Sequence, residues 1–268
     1  MAIGGAMTAV QRNNVQVRGG GDTAMVFAHG FGCDQNMWRH VAPAFEAGFQ
    51  TVLFDNVGAG GSSLMAYRAS KYEQLSGYSD DLIEIIRELG LTGTVFVGHS
   101  VSAMIGVLAA IKEPELFSKL VLVGPSPRYI DDEDYVGGFG ADQIEELLAF
   151  LGENPMAWSE AMAPAIMGNP DRPELGAELT ASFCRTDPEI AKAFARVTFT
   201  SDNRPDLEKV TIPTLVLQCS DDIIAPLSVG QYVADHIEGS RLVVLEATGH
   251  CPNLSAPEEV VAAIQAFV

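Results

Sequence analysis

The sequence predicts an α/β fold, a mostly parallel central sheet covered by helices, with a block of helices inserted late in the chain. Three observations predict it. Apolar runs of strand length recur, each closed by turn-forming residues, with helical patterns between them. The runs are continuous rather than alternating, as expected of strands buried on both faces. Between about residues 128 and 208 the strand signal stops and only helical spacing remains.

The predicted strands are 24–28 (AMVFA), 51–55 (TVLFD), 94–97 (TVFV), 120–123 (LVLV), 214–218 (TLVLQ) and 242–245 (LVVL). Residues 78–89 put Leu82, Ile85, Ile86 and Leu89 on one helical face, and Gly90 ends the pattern. In the inserted block, 144–151, 158–167, 175–184 and 190–199 carry helical spacing. Pro155, Pro164, Pro173 and Pro188 punctuate it. Pro188 suits a first helical turn, whereas Pro164 is expected to kink or end a helix. The acidic run 131–134 reads as a solvated linker. The expected division is a core of 1–127 and 209–268 and a four-helix cap of 128–208.

A chain of 268 residues with 47% hydrophobic composition can bury a large core. Its net charge is −19, which repels phosphate backbones and anionic lipid, so neither nucleic acid nor membrane is an expected partner. No apolar run approaches the about 18 residues of a membrane span. The first ten residues have neither a basic stretch nor a long apolar core, so a cytoplasmic location is expected. Cys33, Cys184, Cys219 and Cys251 form no C-x-x-C pair, against zinc ribbons and thioredoxin-like motifs. Cys219 ends an apolar run and is expected in the core.

The chemistry lies in four loops, each following a predicted strand. Gly98-His99-Ser100-Val101-Ser102 is a strand-to-helix turn that projects a serine above the sheet edge, with the N–H groups of the next helix aimed at the same place. The common pattern is G-x-S-x-G; here Ser102 replaces the last glycine. The competing role for Ser100 is a simple helix cap. His29-Gly30-Phe31-Gly32 follows the first predicted strand, and its glycines allow close backbone approach. Acyl transfer needs two N–H donors at the developing oxyanion; Phe31 and Val101 are the expected pair. Asp221 and Asp222 both follow the strand 214–218, and Asp222 has the D-x-x-x-P spacing to Pro226. His250 stands behind Gly249 after the last strand. His29 and His99 are expected to support the site, and His40 and His236 to lie outside it. The order Ser…Asp…His is that of α/β-hydrolases rather than chymotrypsin-like or subtilisin-like proteases. Gly58-Ala59-Gly60-Gly61-Ser62 could suggest a dinucleotide site, but the third glycine of that fingerprint is absent at Ser63.

Nearly the whole chain, from about Val10, resembles the RsbQ-like branch of the α/β-hydrolases, related to the plant strigolactone and karrikin receptors. The resemblance is carried by AHGFGCDQNMW (28–38), GHSVSAMIG (98–106), GPSPRY (124–129), SDNRPDL (201–207), LQCSDDIIAP (217–226) and GHCPNLS (249–255). It implies a triad of Ser100, Asp222 and His250, an oxyanion hole at Phe31 and Val101, and a helical lid over a small hydrophobic pocket. Phe31, Trp158, Met162 and Phe199 are the expected substrate-binding residues, with Met162 where the plant receptors carry an aromatic. Asn253 replaces a histidine usual in the last motif. The implied function is acyl-enzyme hydrolysis of a small hydrophobic ester or lactone, needing no metal or organic cofactor. The alternative is a slow-turnover, ligand-sensing protein that signals through a partner phosphatase of a stress pathway. Cys33 and Cys251 flank the site, and oxidation there is a weaker expectation than simple packing.

Overall fold

A computed structural model describes residues 7–268. The chain opens with a single turn, α1 (Ala9–Arg12), capped by the Thr8 side chain, and then β1 (Gln16–Arg18), β2 (Thr23–Ala28) and β3 (Phe49–Phe54). Next come α2 (Leu75–Glu88), β4 (Thr94–His99), α3 (Val101–Lys112) and β5 (Phe117–Val123). Four helices follow: α4 (Ala141–Glu153), α5 (Pro155–Met167), α6 (Pro173–Arg185) and α7 (Pro188–Thr200). The short α8 (Arg204–Leu207) leads into β6 (Thr214–Asp221), α9 (Leu227–His236), β7 (Arg241–Thr248), α10 (Pro252–Ser255) and α11 (Pro257–Gln265).

The seven strands form one sheet in the order β1-β3-β2-β4-β5-β6-β7. Only β1 runs antiparallel to its neighbour; the other pairs are parallel. All six expected strands are present. The continuous apolar runs are explained by the two-residue period of a strand. Phe27, Val97, Val121 and Leu217 face one core, while Val26, Phe96, Leu120 and Val216 face the other.

Two strands depart from expectation. β1, the three exposed residues Gln-Val-Arg, has no apolar pattern to reveal it. β7 was expected to be buried on both faces, but it is an edge strand and only partly covered.

The site is placed by topology. From β2 the chain goes out to β3 and then returns to β4 on the other side of β2. The crevice beyond the carboxyl ends of β2 and β4 is therefore a switch point, where open α/β sheets bind ligands.

The inserted helices match the four expected segments. Pro155, Pro173 and Pro188 each open a helix, where the missing N–H costs nothing. Asn154 and Asp187 accept hydrogen bonds from the first-turn N–H groups of α5 and α7. Pro164 does not end its helix: α5 continues to Met167. Gly176 of α6 lies against Pro164, so close that an added Cβ would stand 3.2 Å from its Cα. The acidic run is exposed but not slack. Asp131 accepts from the N–H groups of Gly137 and Gly138, and Asp132 pairs with Arg204 at 2.8 Å. No helix among the described residues is long and apolar enough to cross a membrane.

Candidate active site

Ser100 joins β4 to α3 at φ 56°, ψ −125°. A non-glycine residue there stores backbone strain of about 1–3 kcal/mol. Tight packing enforces it. A Cβ on Gly98 would lie 2.6 Å from the Ser102 carbonyl, and one on Gly106 would enter the Phe96 ring at 2.0 Å. The Ser100 side chain does not cap α3. Its hydroxyl donates to His250 Nε2 at 2.7 Å. The departure from G-x-S-x-G has a use of its own, since Ser102 Oγ donates to the His29 carbonyl at 2.5 Å and ties the elbow to the early loop.

His250 follows β7 and is held through its backbone, whose N–H donates to the Ile166 carbonyl near the end of α5 (2.8 Å). Its Nδ1–H donates to Asp222 Oδ2 at 2.7 Å. Asp222 Oδ1 accepts from the N–H groups of Ile224 (2.8 Å) and Ala225 (3.1 Å). Burial alone would raise the Asp222 carboxyl. The facing His250 and these N–H donors outweigh it and hold the carboxyl below its ordinary value. Asp221, by contrast, is exposed and contributes its carbonyl, which accepts from the Gly249 N–H. The structure thus brings Ser100, His250 and Asp222 into one hydrogen-bonded line, all buried.

The early loop passes beside the serine: a Cβ on Gly30 would lie 3.2 Å from Ser100 Cβ. Val101 opens α3, so its N–H has no intrahelical partner. His29 Nε2 accepts from the Asn56 N–H, and His99 donates to the His250 carbonyl. His40 is exposed, and His236 stacks on Tyr232 away from the site. Asn253 makes no hydrogen bond to His250 among the described residues; its amide donates to the Met37 carbonyl and ties the turn after His250 to the segment after β2. The glycine loop after β3 wraps a carboxylate of its own chain. Gly61 N–H donates to Asp55, and a Cβ on Gly60 would lie 2.5 Å from that carboxyl carbon.

The cavity at Ser100 holds about 30 Å³, and Phe31, Tyr129, Ile166, Leu179, Phe183, Thr198, Phe199 and Ile224 wall it together with His250 and two cysteines. Those cysteines, Cys33 and Cys251, are buried, and burial pushes the Cys33 thiol up to about 12 and Cys251 well up as well. Both stay protonated at neutral pH, which favours packing over redox chemistry. Beyond the Phe31 and Phe183 rings, 5.7 Å apart, an open hollow of about 300 Å³ begins.

Of the four expected substrate contacts, Phe31 and Phe199 line the serine cavity. Trp158 lines the outer hollow, and with Met162 a separate space of about 10 Å³ behind Phe199. Sequence reasoning gave no role to Tyr129, Phe183 or Thr198. Tyr129 lies inside a quoted motif. The other two lie on inserted helices, where a pocket residue and a core residue share the same spacing.

A strained serine on a strand-to-helix turn, bonded to a histidine and a carboxylate carried by later strands, is the arrangement of a hydrolase built on an α/β sheet. The chain belongs to the alpha/beta hydrolase family, whose model matches residues 25–263. It is 41% identical over 248 residues to the strigolactone esterase D14 of Arabidopsis thaliana, covering 92% of each chain. It is 37% identical over 252 residues to a karrikin insensitive 2 receptor of Petunia hybrida, covering 94% of this chain and 93% of that one. Among solved structures, a hydrolase from Oleispira antarctica superposes with a TM-score of 0.94 at 40% identity, covering 97% of this chain and 95% of that one.

Proposed function

We propose that this protein is a serine hydrolase that cleaves a small hydrophobic carboxylic ester or lactone through an acyl-enzyme. One observation carries the reading: Ser100 Oγ, His250 and Asp222 are linked by two 2.7 Å hydrogen bonds inside a cavity walled by apolar side chains. Ser100 attacks the carbonyl while His250 Nε2 takes its proton. Asp222 fixes the imidazole tautomer and stabilises the imidazolium. The N–H groups of Phe31 and Val101 receive the oxyanion. His250 returns its proton to the leaving oxygen, and water then repeats the attack on the acyl group. Residues 128–208 act as the lid, and Phe31 and Phe199 contact the substrate; Trp158 and Met162 shape the space behind and outside them. The esterase name of the Arabidopsis relative supports the same bond class.

A second reading keeps the site and changes its output: slow turnover, with the ligand-bound state recognised by a regulatory partner, a phosphatase in the RsbQ-like stress-signalling version. The small volume of the cavity, about 30 Å³, favours it, because an ester larger than a water is accommodated only if the side chains that wall it give way. The receptor name of the Petunia relative points the same way.

The test is treatment with a fluorophosphonate followed by intact mass and peptide mapping. A single adduct on Ser100, absent after denaturation and in His250→Ala, is the expected result. Ser100→Ala folds and hydrolyses p-nitrophenyl acetate at background rate; turnover near wild type in that variant would overturn the assignment. Fast multiple turnover without a partner selects the first reading. Slow turnover with ligand-dependent binding of the phosphatase selects the second.

A further inference from the structure

We propose that the Tyr129 hydroxyl holds the water that releases the acyl group from Ser100, a role that presupposes the acyl-enzyme route proposed above. Tyr129 lies just beyond β5, is 2% exposed, and packs edge-on against Phe199 at 5.1 Å. Its hydroxyl stands 3.5 Å from Ser100 Oγ. A strong O–H···O bond spans about 2.5–3.0 Å, so this one is weak. No other hydrogen bond is made by that hydroxyl among the described residues. A buried hydroxyl with unspent hydrogen-bonding capacity beside a nucleophile marks a place for a water or a ligand oxygen. Thr198 lines the same cavity, and its hydroxyl is also buried without a partner.

The chemistry of the second half-reaction says why that oxygen is water. In the free enzyme, Ser100 O–H fills His250 Nε2. Once Ser100 is acylated, Oγ has no hydrogen, and Nε2 is open to a new donor. A water held against Phe31, Ile166, Leu179 and Phe199 needs two or more polar partners. His250 Nε2 accepts one of its hydrogens, and Tyr129 accepts the other. This points an oxygen lone pair at the acyl carbon. The new C–O bond forms as one water proton passes to Nε2. The C–Oγ bond then breaks, and that proton returns to Ser100. The products are the carboxylic acid and free enzyme. Burial pushes the Tyr129 phenol well above its ordinary range, so it keeps its own proton throughout.

Tyr129→Phe removes the hydroxyl and keeps the ring. Two readouts separate positioning of water from activation of Ser100. The first is the rate of Ser100 phosphonylation by a fluorophosphonate, which involves no water attack and also reports folding. The second is the decay of the acetyl-enzyme, followed by intact mass after excess p-nitrophenyl acetate is removed. The expected result is phosphonylation within about threefold of wild type and deacylation slowed at least about tenfold, with acetyl-enzyme accumulating during turnover. Equal loss in both readouts makes Tyr129 a support for Ser100 and overturns the proposal. Unchanged deacylation overturns it as well. Wild-type protein inert to both probes is a different failure, that of the hydrolase reading itself.

Discussion

His99 lies buried beside His250, ring centroids 5.0 Å apart, and donates from Nε2 to the His250 carbonyl. Its Nδ1 has no partner among the described residues, and the Gly30 backbone passes beside it, where an added Cβ would stand 2.5 Å away. Burial, reinforced by the neighbouring His250, lowers its pKa from 6.5 to about 3. Between those values the unfolded chain binds a proton that the folded chain refuses. Stability therefore falls as pH drops below about 6.5, by up to about 1.4 kcal/mol per pH unit, and the contribution is complete above it. Asp222 acts in the same direction at lower pH. Its depressed carboxyl stabilises the fold above the ordinary value of 3.8, and that is lost as pH falls through the lower folded value. His99→Gln keeps a donor near the Nε2 position without the titration. Urea unfolding at pH 7 and pH 5 is expected to show a loss about 1–2 kcal/mol smaller in the variant. Equal losses would assign the acid sensitivity to other groups.

At the scale of elements, the loop after β7 and the end of α5 are one assembly. His250 N–H donates to Ile166, and Asn169 bonds the Thr248 carbonyl at 2.9 Å. Gly249 between them sits at φ +87°, and a Cβ there would lie 1.9 Å from the Met167 carbonyl. Gly249→Ala must push the His250 loop off α5. The expected result is a lower Tm and a fall of about 100-fold in kcat/KM, since displacing a reacting group by about 1 Å costs that much. Gly239 is the control. It has φ +71° but, among the described residues, no atom within 4 Å of an added Cβ. Gly239→Ala is expected to cost about 1–2 kcal/mol of stability and to leave kcat/KM unchanged. Equal effects of the two would mean that backbone strain alone, and not contact with α5, makes Gly249 necessary.

Over the whole molecule, 35 acidic residues face 16 basic ones. Some of the basic residues join the inserted helices to the core. Arg39 grips Glu178 of α6 with two bonds of 2.6 and 2.8 Å, and Arg185 reaches Asp34 at 3.1 Å. Salt weakens both the net repulsion and these exposed pairs, and exposed pairs contribute little, typically about 0–1 kcal/mol. Repulsion dominates at a net charge of −19, so Tm is expected to rise with NaCl from about 10 mM to about 300 mM. A falling Tm in scanning calorimetry would mean that the bridging pairs outweigh the repulsion.

Six parallel strands, four inserted helices and the chain order of Ser100, Asp222 and His250 are legible in the order of amino acids alone. Each is a local fact: a strand, a helix period or a turn is written in a few consecutive residues. The same reading even ranked Asp222 above Asp221, because the spacing to Pro226 reflects the turn that aims the carboxylate. It missed β1, whose three exposed residues bury nothing. The expectation that Pro164 would kink or end a helix rests on proline chemistry, which is local, whereas the packing of α6 against the continued helix is not. The cavity is not local and could not be read that way. Phe31, Tyr129, Phe183 and Thr198 are brought together from separate segments, and Met162, expected among them, is turned into a space behind Phe199. An apolar residue at helical spacing looks the same in sequence whether it meets a ligand or a neighbouring helix. What it meets is settled by how the inserted helices pack over the sheet.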